Sequence, residues 1–198
     1  GPILSQTPLT VAETASVFGE MLTFRKLLAD AGPGKLRLAL LAQKVEDMLN
    51  TVVRQIAFYE FETRFHAARK SGELTPDQIG RLWLDVQTES LGPAFNFAQG
   101  YETYWCYIGH FVRSPFYVYA YAFGDCLVNS LYAQFERSPE GFQDRYLSLL
   151  SAGGAKPYGE LLKPFGLDAR DPAFWDRGLD VIASLIDETE RAAKGIVG

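Results

Sequence analysis

Histidine and cysteine are scarce in this chain of 198 residues, with two of each. The histidines, His66 and His110, stand far apart, so neither forms a local pair at metal-ligand spacing. Cys106 and Cys126 form neither a CxxC nor another metal-ligand pattern, which excludes a cysteine-built metal site or redox motif on spacing. Two buried free thiols in a reducing cytosol is the expectation, hence a cytoplasmic protein, with a disulfide as the alternative. No uninterrupted apolar run approaches the ~20 residues that a membrane helix needs. Residues 104–123 come nearest, and His110, Arg113, Ser114 and Pro115 interrupt them. The net charge is −5 and no basic face is evident, which argues against nucleic acid as the main partner. Alternation of the strand type is absent except around residues 116–121, and there is no repeat or low-complexity segment. The start, Gly1-Pro2-Ile3-Leu4-Ser5, has no Met and no leader-like stretch, which suggests a fragment or a processed product.

What the chain does have is apolar substance. It is 47% hydrophobic and 14% aromatic, with 22% charged residues, enough for one domain or a large piece of one. The periodicity predicts helix almost throughout. Residues 11–31 end at the stop Gly32-Pro33-Gly34. Residues 35–70 carry Leu38, Leu41, Val45, Met48, Leu49, Val52, Ile56 and Phe58 at helical spacings. Thr75-Pro76-Asp77 opens a helix to Leu91, with Pro at its first position. Loop is predicted at 92–100, a short aromatic element at 101–108, and loop again at 109–115. Helices follow at 116–136, 139–150, 158–163 and from Pro172 to about Ala193. The fold class is therefore all-α.

The chemistry concentrates in residues 109–124, where His110 is followed by Tyr117, Tyr119 and Tyr121. Such a set supplies an acid, a base and donors for a developing oxyanion. The plainer reading is an aromatic core helix behind a loop. In a helix Tyr117 and Tyr121 share a face and Tyr119 points elsewhere. If the stretch is still extended, Tyr119 becomes the candidate instead. Tyr101, Glu102 and Tyr104 either line a cleft or pack in a core. His66 lies at a charged helix end and reads as solvated or as a residue serving the C-terminal helix dipole. Cys106 and Cys126 read as core fillers, and Trp83, Trp105 and Trp175 as packing anchors. Thr10-Val11-Ala12-Glu13 fits a capping box with Glu13 at N3. Glu13 and Glu20 fall on one helix face, and Ala12, Ala15, Ser16 and Gly19 would admit a close neighbour.

Two segments in order, residues 7–22 around Glu13 and residues 108–124 around His110, resemble the C-terminal part of the M3 metallopeptidases, oligoendopeptidase F branch. Gly100-Tyr101-Glu102-Thr103-Tyr104-Trp105, Leu149-Leu150-Ser151-Ala152-Gly153-Gly154 and Phe174-Trp175 extend the resemblance over nearly the whole chain. That family carries an HExxH helix whose histidines bind zinc and whose Glu activates water. No HExxH occurs here, so the resemblance implies that residues 1–198 begin after that helix, as the C-terminal catalytic lobe of a larger helical, zincin-like enzyme. It implies Glu13 as the third zinc ligand and Glu20 as a residue orienting a zinc-binding His. It implies His110, Tyr117 and Tyr121 as groups holding the substrate carbonyl and oxyanion, with Tyr119 and Tyr101 as substrate-binding candidates. A phenol, with its ordinary pKa of about 10, stays protonated at neutral pH and donates. The implied activity is zinc-dependent cleavage of short peptides by the parent protein. One zinc ion belongs to the full enzyme, and the chain alone is expected to lack it and to be inactive. Implied partners are peptides, the N-terminal part of the same protein and, through exposed interface, further copies of the fragment. The other reading is a non-catalytic helical domain that binds a peptide or protein, with Glu13 only a cap.

Overall fold

The computed structural model describes residues 13–197. The described residues form helices and turns and contain no strand. In order they are α1 (Thr14–Ala31), α2 (Lys35–Met48), a π turn (Leu49–Val53), α3 (Arg54–Arg69), α4 (Pro76–Leu91), 3-10 turns at Gly92–Ala94 and Tyr101–Tyr107, α5 (His110–Arg113), α6 (Tyr119–Arg137), α7 (Phe142–Ala152), α8 (Tyr158–Leu162), a 3-10 turn (Lys163–Phe165) and α9 (Pro172–Val197). The chain divides into two compact units, residues 1–49 with 123–198, and residues 50–122. No helix among the described residues is long and apolar enough to cross a membrane.

The first unit is built on an aromatic cluster. Phe18 of α1 meets Tyr146 with ring centroids 4.5 Å apart, Phe142 at 5.7 Å and Tyr132 at 6.3 Å. Fully burying one such ring contributes roughly 2–3 kcal/mol, and each ring pair adds roughly 0.5–1.5 kcal/mol. α9 lies along α2, where the Arg37 guanidinium binds Glu188 and donates to the Leu28 carbonyl at the end of α1 (2.8 Å). α9 also crosses α6 at Gly178, where an added Cβ would stand 2.9 Å from the Cys126 carbonyl oxygen. Only a residue without a side chain admits that approach.

The second unit is centred on Trp83 of α4, which is fully buried. Its ring meets Phe61 at 5.3 Å, Phe58 at 5.5 Å, Tyr101 at 5.9 Å and Phe111 at 6.3 Å. Among the described residues the indole Nε1 finds no acceptor, so the ring serves there through its area. α4 starts where the sequence signals it. Gln78 N–H donates to Thr75 Oγ1 (3.3 Å), and Thr75 N–H donates to Gln78 Oε1 (2.8 Å), a capping box closed by Pro76. Arg64 joins α3 to α4 through two hydrogen bonds to Glu89 (2.8 and 2.6 Å) and one to Glu60 (2.8 Å).

Several elements depart from the periodicity. The segment expected as one helix over 35–70 is broken by the π turn, so Val52 and Ala57, both buried, stand at i and i+5 rather than i+4. The loop expected at 109–115 contains the single turn α5. The helix expected from Phe116 starts at Tyr119, because Pro115 and Phe116 turn the chain first. Tyr117 N–H donates to the Ser114 carbonyl (3.1 Å) across that turn, and Phe116 has φ of 59°. A positive φ at the third residue of a turn is ordinarily taken by glycine, and in a phenylalanine costs roughly 1–2 kcal/mol. α7 starts at Phe142, after Gly141 (φ 64°), rather than at Pro139. Cys106 is exposed rather than a core filler, whereas Cys126 is buried, and both are free thiols. His66 is half-buried rather than solvated, its ring 5.0 Å from that of Phe116.

Gly178→Ala is expected to lower stability by about 1–3 kcal/mol through overpacking. Gly19→Ala, where a Cβ meets nothing within 4 Å, is expected to raise it by up to about 1 kcal/mol. Thermal melts followed by circular dichroism, both variants beside the wild type, measure the two effects.

Candidate functional site

The second unit brings three of the sequence candidates together. His110 opens α5, whose one turn is closed by Ser114 N–H donating to the His110 carbonyl (2.9 Å). The turn at 114–117 then reverses the chain. Tyr117 lays its ring against the imidazole, centroids 5.7 Å apart and planes 21° from parallel. Tyr121, one turn into α6, meets the same imidazole edge-on, with its hydroxyl 3.2 Å from Nε2. The two phenol rings are 5.4 Å apart. All three residues are half-buried, the condition of groups that must be both held and reached.

Tyr119 does not join this group. It is exposed, and its ring packs edge-on against Tyr59, which also meets Phe116. The reason is the late start of α6. Tyr117 precedes the helix, so its direction is set by the turn and not by helical phase. Tyr101 is stacked between Phe97 at 4.8 Å and Tyr104 at 5.3 Å, and its hydroxyl donates to the buried Gln87 (3.4 Å). Glu102 accepts the Gly100 N–H (2.8 Å), and its backbone passes close to Gly80. Both residues are tied into the second unit rather than turned toward His110.

Glu13 and Glu20 belong to the first unit. Glu13 stands at the N-cap of α1 and not at N3, and its side chain makes no capping bond. Thr10 and Ala12 lie outside the described residues. Ser16 Oγ donates to Glu13 Oε2 (3.3 Å), and among the described residues nothing bonds Oε1. The close approach expected at Ala15, Ser16 and Gly19 is instead made on Glu13 itself. A Cβ on Gly124 of α6 would stand 3.2 Å from the Glu13 Cβ. Glu20 is exposed, and its charge acts on Asp125.

Two buried carboxyls escape a reading by motif. Glu62 of α3 is 1% exposed. Its Oε1 accepts the Phe116 N–H (2.8 Å), and its Oε2 is buried without a partner. Burial raises its pKa, partly offset by the Phe116 hydrogen bond and by the nearby His66 and His110. Asp125 of α6 is 4% exposed and accepts from Asn129 Nδ2 (3.0 Å). Burial pushes its carboxyl up to about 6, with Lys44 and Asn129 pulling the other way and Glu20 adding to the rise. The available signal was positional. Glu62 stands on the apolar stripe of Phe58, Phe61 and Phe65, and Asp125 stands among Ala122, Cys126 and Val128 on a helix whose Asn129 follows one turn later.

As a metal centre the described residues are incomplete, since no group of three or more His, Cys, Asp and Glu side chains could hold an ion. A catalytic zinc ordinarily takes three protein ligands. Glu13, with one oxygen held by Ser16 and its carboxylate unused in capping, fits one ligand of such a set.

The family model for peptidase family M3 matches residues 3–181. The chain belongs to peptidase family M3. It is 28% identical over 191 residues to the plasmid oligoendopeptidase F of Lactococcus lactis subsp. cremoris, covering 96% of this chain and 32% of that protein. An oligoendopeptidase F homolog of Borreliella burgdorferi is 26% identical, covering 91% and 30%. Among solved structures, a putative peptidase from Chlamydophila abortus matches with a TM-score of 0.84 at 27% identity, over 96% of this chain and 32% of that one. An oligoendopeptidase-F from Enterococcus faecium shares the fold, with a TM-score of 0.80 at 24% identity over 92% and 35%. This M3 chain thus spans about a third of the length of the relatives it matches.

Asp125 gives the first unit a pH signature. Its folded pKa of about 6 lies above the ordinary 3.8, so the folded state binds the proton more tightly. The associated stability is complete below about pH 4 and is lost as pH rises through about 6. Asp125→Asn is expected to abolish this loss, leaving the variant more stable than wild type at pH 7.5 by about 2–3 kcal/mol and similar to it at pH 4. Urea unfolding at the two pH values measures the difference.

Proposed function

We propose that the parent protein is a zinc-dependent endopeptidase acting on short peptides, and that this chain is the C-terminal part of its catalytic domain, following the HExxH helix. The observation that carries the reading is the His110, Tyr117 and Tyr121 cluster within a chain of peptidase family M3. Its oligoendopeptidase relatives support the substrate class.

Zinc, when bound, would polarise the scissile carbonyl and acidify water. Glu13 would hold it as one carboxylate ligand, steadied by the Ser16 hydroxyl. The Tyr117 hydroxyl would donate to the carbonyl oxygen as negative charge grows there, and so would the hydrogen-bonded His110–Tyr121 pair, through the one proton that their mutual bond leaves available. These donors suit the task because their positions are set in advance. His110 is fixed by α5, Tyr117 by the turn at 114–117 and Tyr121 by α6, so little reorganisation is needed as the charge develops. The Tyr117 ring, 21° from parallel to the imidazole, also limits how that ring can turn. Tyr119, exposed on the neighbouring aromatic surface with Tyr59, would touch the peptide rather than the reacting carbonyl. The free thiols Cys106 and Cys126 support a cytoplasmic setting. The remaining ligands and the general base would come from the rest of the parent protein, so the isolated chain is expected to cleave nothing.

The test uses the full-length gene product, with zinc content and hydrolysis of a quenched fluorescent peptide measured on the same samples. Glu13→Ala is expected to lose both zinc and activity with helical content unchanged. His110→Ala and Tyr121→Phe are expected to keep zinc and to lower kcat by about 100- to 1000-fold. Unchanged zinc and activity in all three would reduce Glu13 to a helix-end residue and favour a helical binding domain instead.

A further inference from the structure

We propose that Glu62 is a positioning residue: by accepting the Phe116 N–H it holds the turn at 114–117 in the one conformation that lays Tyr117 against His110. Phe116 is the only described residue other than glycine with a positive φ, 59°, a conformation that its side chain disfavours. Something must keep it there. Its ring packs against Tyr59 at 5.9 Å and His66 at 5.0 Å, both on α3, and its N–H meets Glu62 Oε1 at 2.8 Å, also on α3. Tyr59, Glu62 and His66 are successive positions on one face of that helix. α3 therefore grips the apex of the turn by ring and by main chain together.

Tyr117 is the next residue, so its direction follows from that grip. A burial-only explanation of Glu62 fails on chemistry. The side chain is 1% exposed and its Oε2 has no partner, so a leucine or methionine would fill the same space without the desolvation cost. What an apolar residue cannot provide is the acceptor for an N–H that would otherwise be unpaired beside the core. The role assigned to Tyr117 and His110 rests on the peptidase reading above, whereas the placement of the one against the other does not.

The chain has only two histidines, and each reports on one side of the turn: His110 on Tyr117, and His66 on Phe116. Imidazole proton shifts in the 198-residue chain are the readout, with Tyr117→Leu and Phe116→Leu as references for loss of each ring. Glu62→Leu is expected to move the His110 signal to its position in Tyr117→Leu and to shift His66 as well. Glu62→Gln keeps an acceptor oxygen and is expected to leave both signals in place. In the wild type, the Phe116 amide is expected to exchange slowly with solvent deuterium, a measurement that needs no variant. Rapid exchange of that amide, an unmoved His110 signal in Glu62→Leu, or equal losses in Glu62→Gln and Glu62→Leu would each overturn the proposal. In the full-length product Glu62→Leu is expected to lower kcat by about 10- to 100-fold with KM within about twofold, and Glu62→Gln to restore it. If His110→Ala leaves hydrolysis unchanged, the peptidase roles fall, and the shifts alone decide whether Glu62 places Tyr117.

Discussion

The hydrogen bond from the Phe116 N–H to the buried carboxyl of Glu62 governs the arrangement of the second unit's reactive side. On one side of it stands α3, locked into the aromatic core by Phe58 and Phe61 against Trp83. On the other side are α5 and the start of α6, which carry His110 and Tyr121. The turn between them has too few residues to adjust independently. With Phe116 held at φ 59°, Tyr117 has little choice but to face back toward α5. A strained residue persists only where its surroundings over-determine it, and here two rings and a carboxyl do so. The strain and the buried carboxyl are two costs incurred at one place, and that place adjoins the cluster of His110, Tyr117 and Tyr121.

The aromatic content explains how so small a unit can hold such a feature. Trp83 touches rings from α3, α5 and the Tyr101–Tyr107 turn, so a single side chain fixes the spacing of three elements. Close-packed ring contacts have few alternative arrangements, which makes the scaffold stiff where a loop-built site would be soft. The first unit uses a different device. There backbones approach through glycine, with Gly178 over Cys126 and Gly124 over the Glu13 stem, and the helix spacing is set by the absence of side chains.

What was legible in the sequence follows from this physics. Apolar spacing and end signals gave the helices, because both are local. Thr75, Gln78 and Pro76 start α4 as their chemistry requires. The grouping of His110 with Tyr117 and Tyr121 was foreseen on the assumption of helical phase, yet Tyr117 lies before the helix and reaches His110 through a turn. The partners agreed while the reason differed. Local rules place Phe116 in a helix because its conformation is imposed from α3, distant in sequence. The same holds for His66, which looks like a solvated helix-end residue until Phe116 covers it. Glu62 and Asp125 do not stand out in the sequence, because a charged residue in an amphipathic pattern is ordinarily part of the solvated face. Only the tertiary packing turns those positions inward. The π turn at Leu49–Val53 was equally invisible, since a one-residue change of phase barely disturbs an apolar stripe.

At Glu13 the sequence motif leaves two explanations together, a helix cap and a metal ligand. A glutamate at N3 of a capping box is engaged, its carboxylate bent back to the N-cap amide. Here Glu13 is itself the N-cap residue, and its side chain makes no bond to the free amides of the first turn. The carboxylate is instead steadied at Oε2 by the Ser16 hydroxyl, while α6 presses on its stem through Gly124. A side chain kept off the helix end, oriented by one donor and confined by one close backbone has an open lone-pair set and a fixed direction. Those are the properties a ligand needs, and a cap has neither. One carboxylate alone makes no metal site.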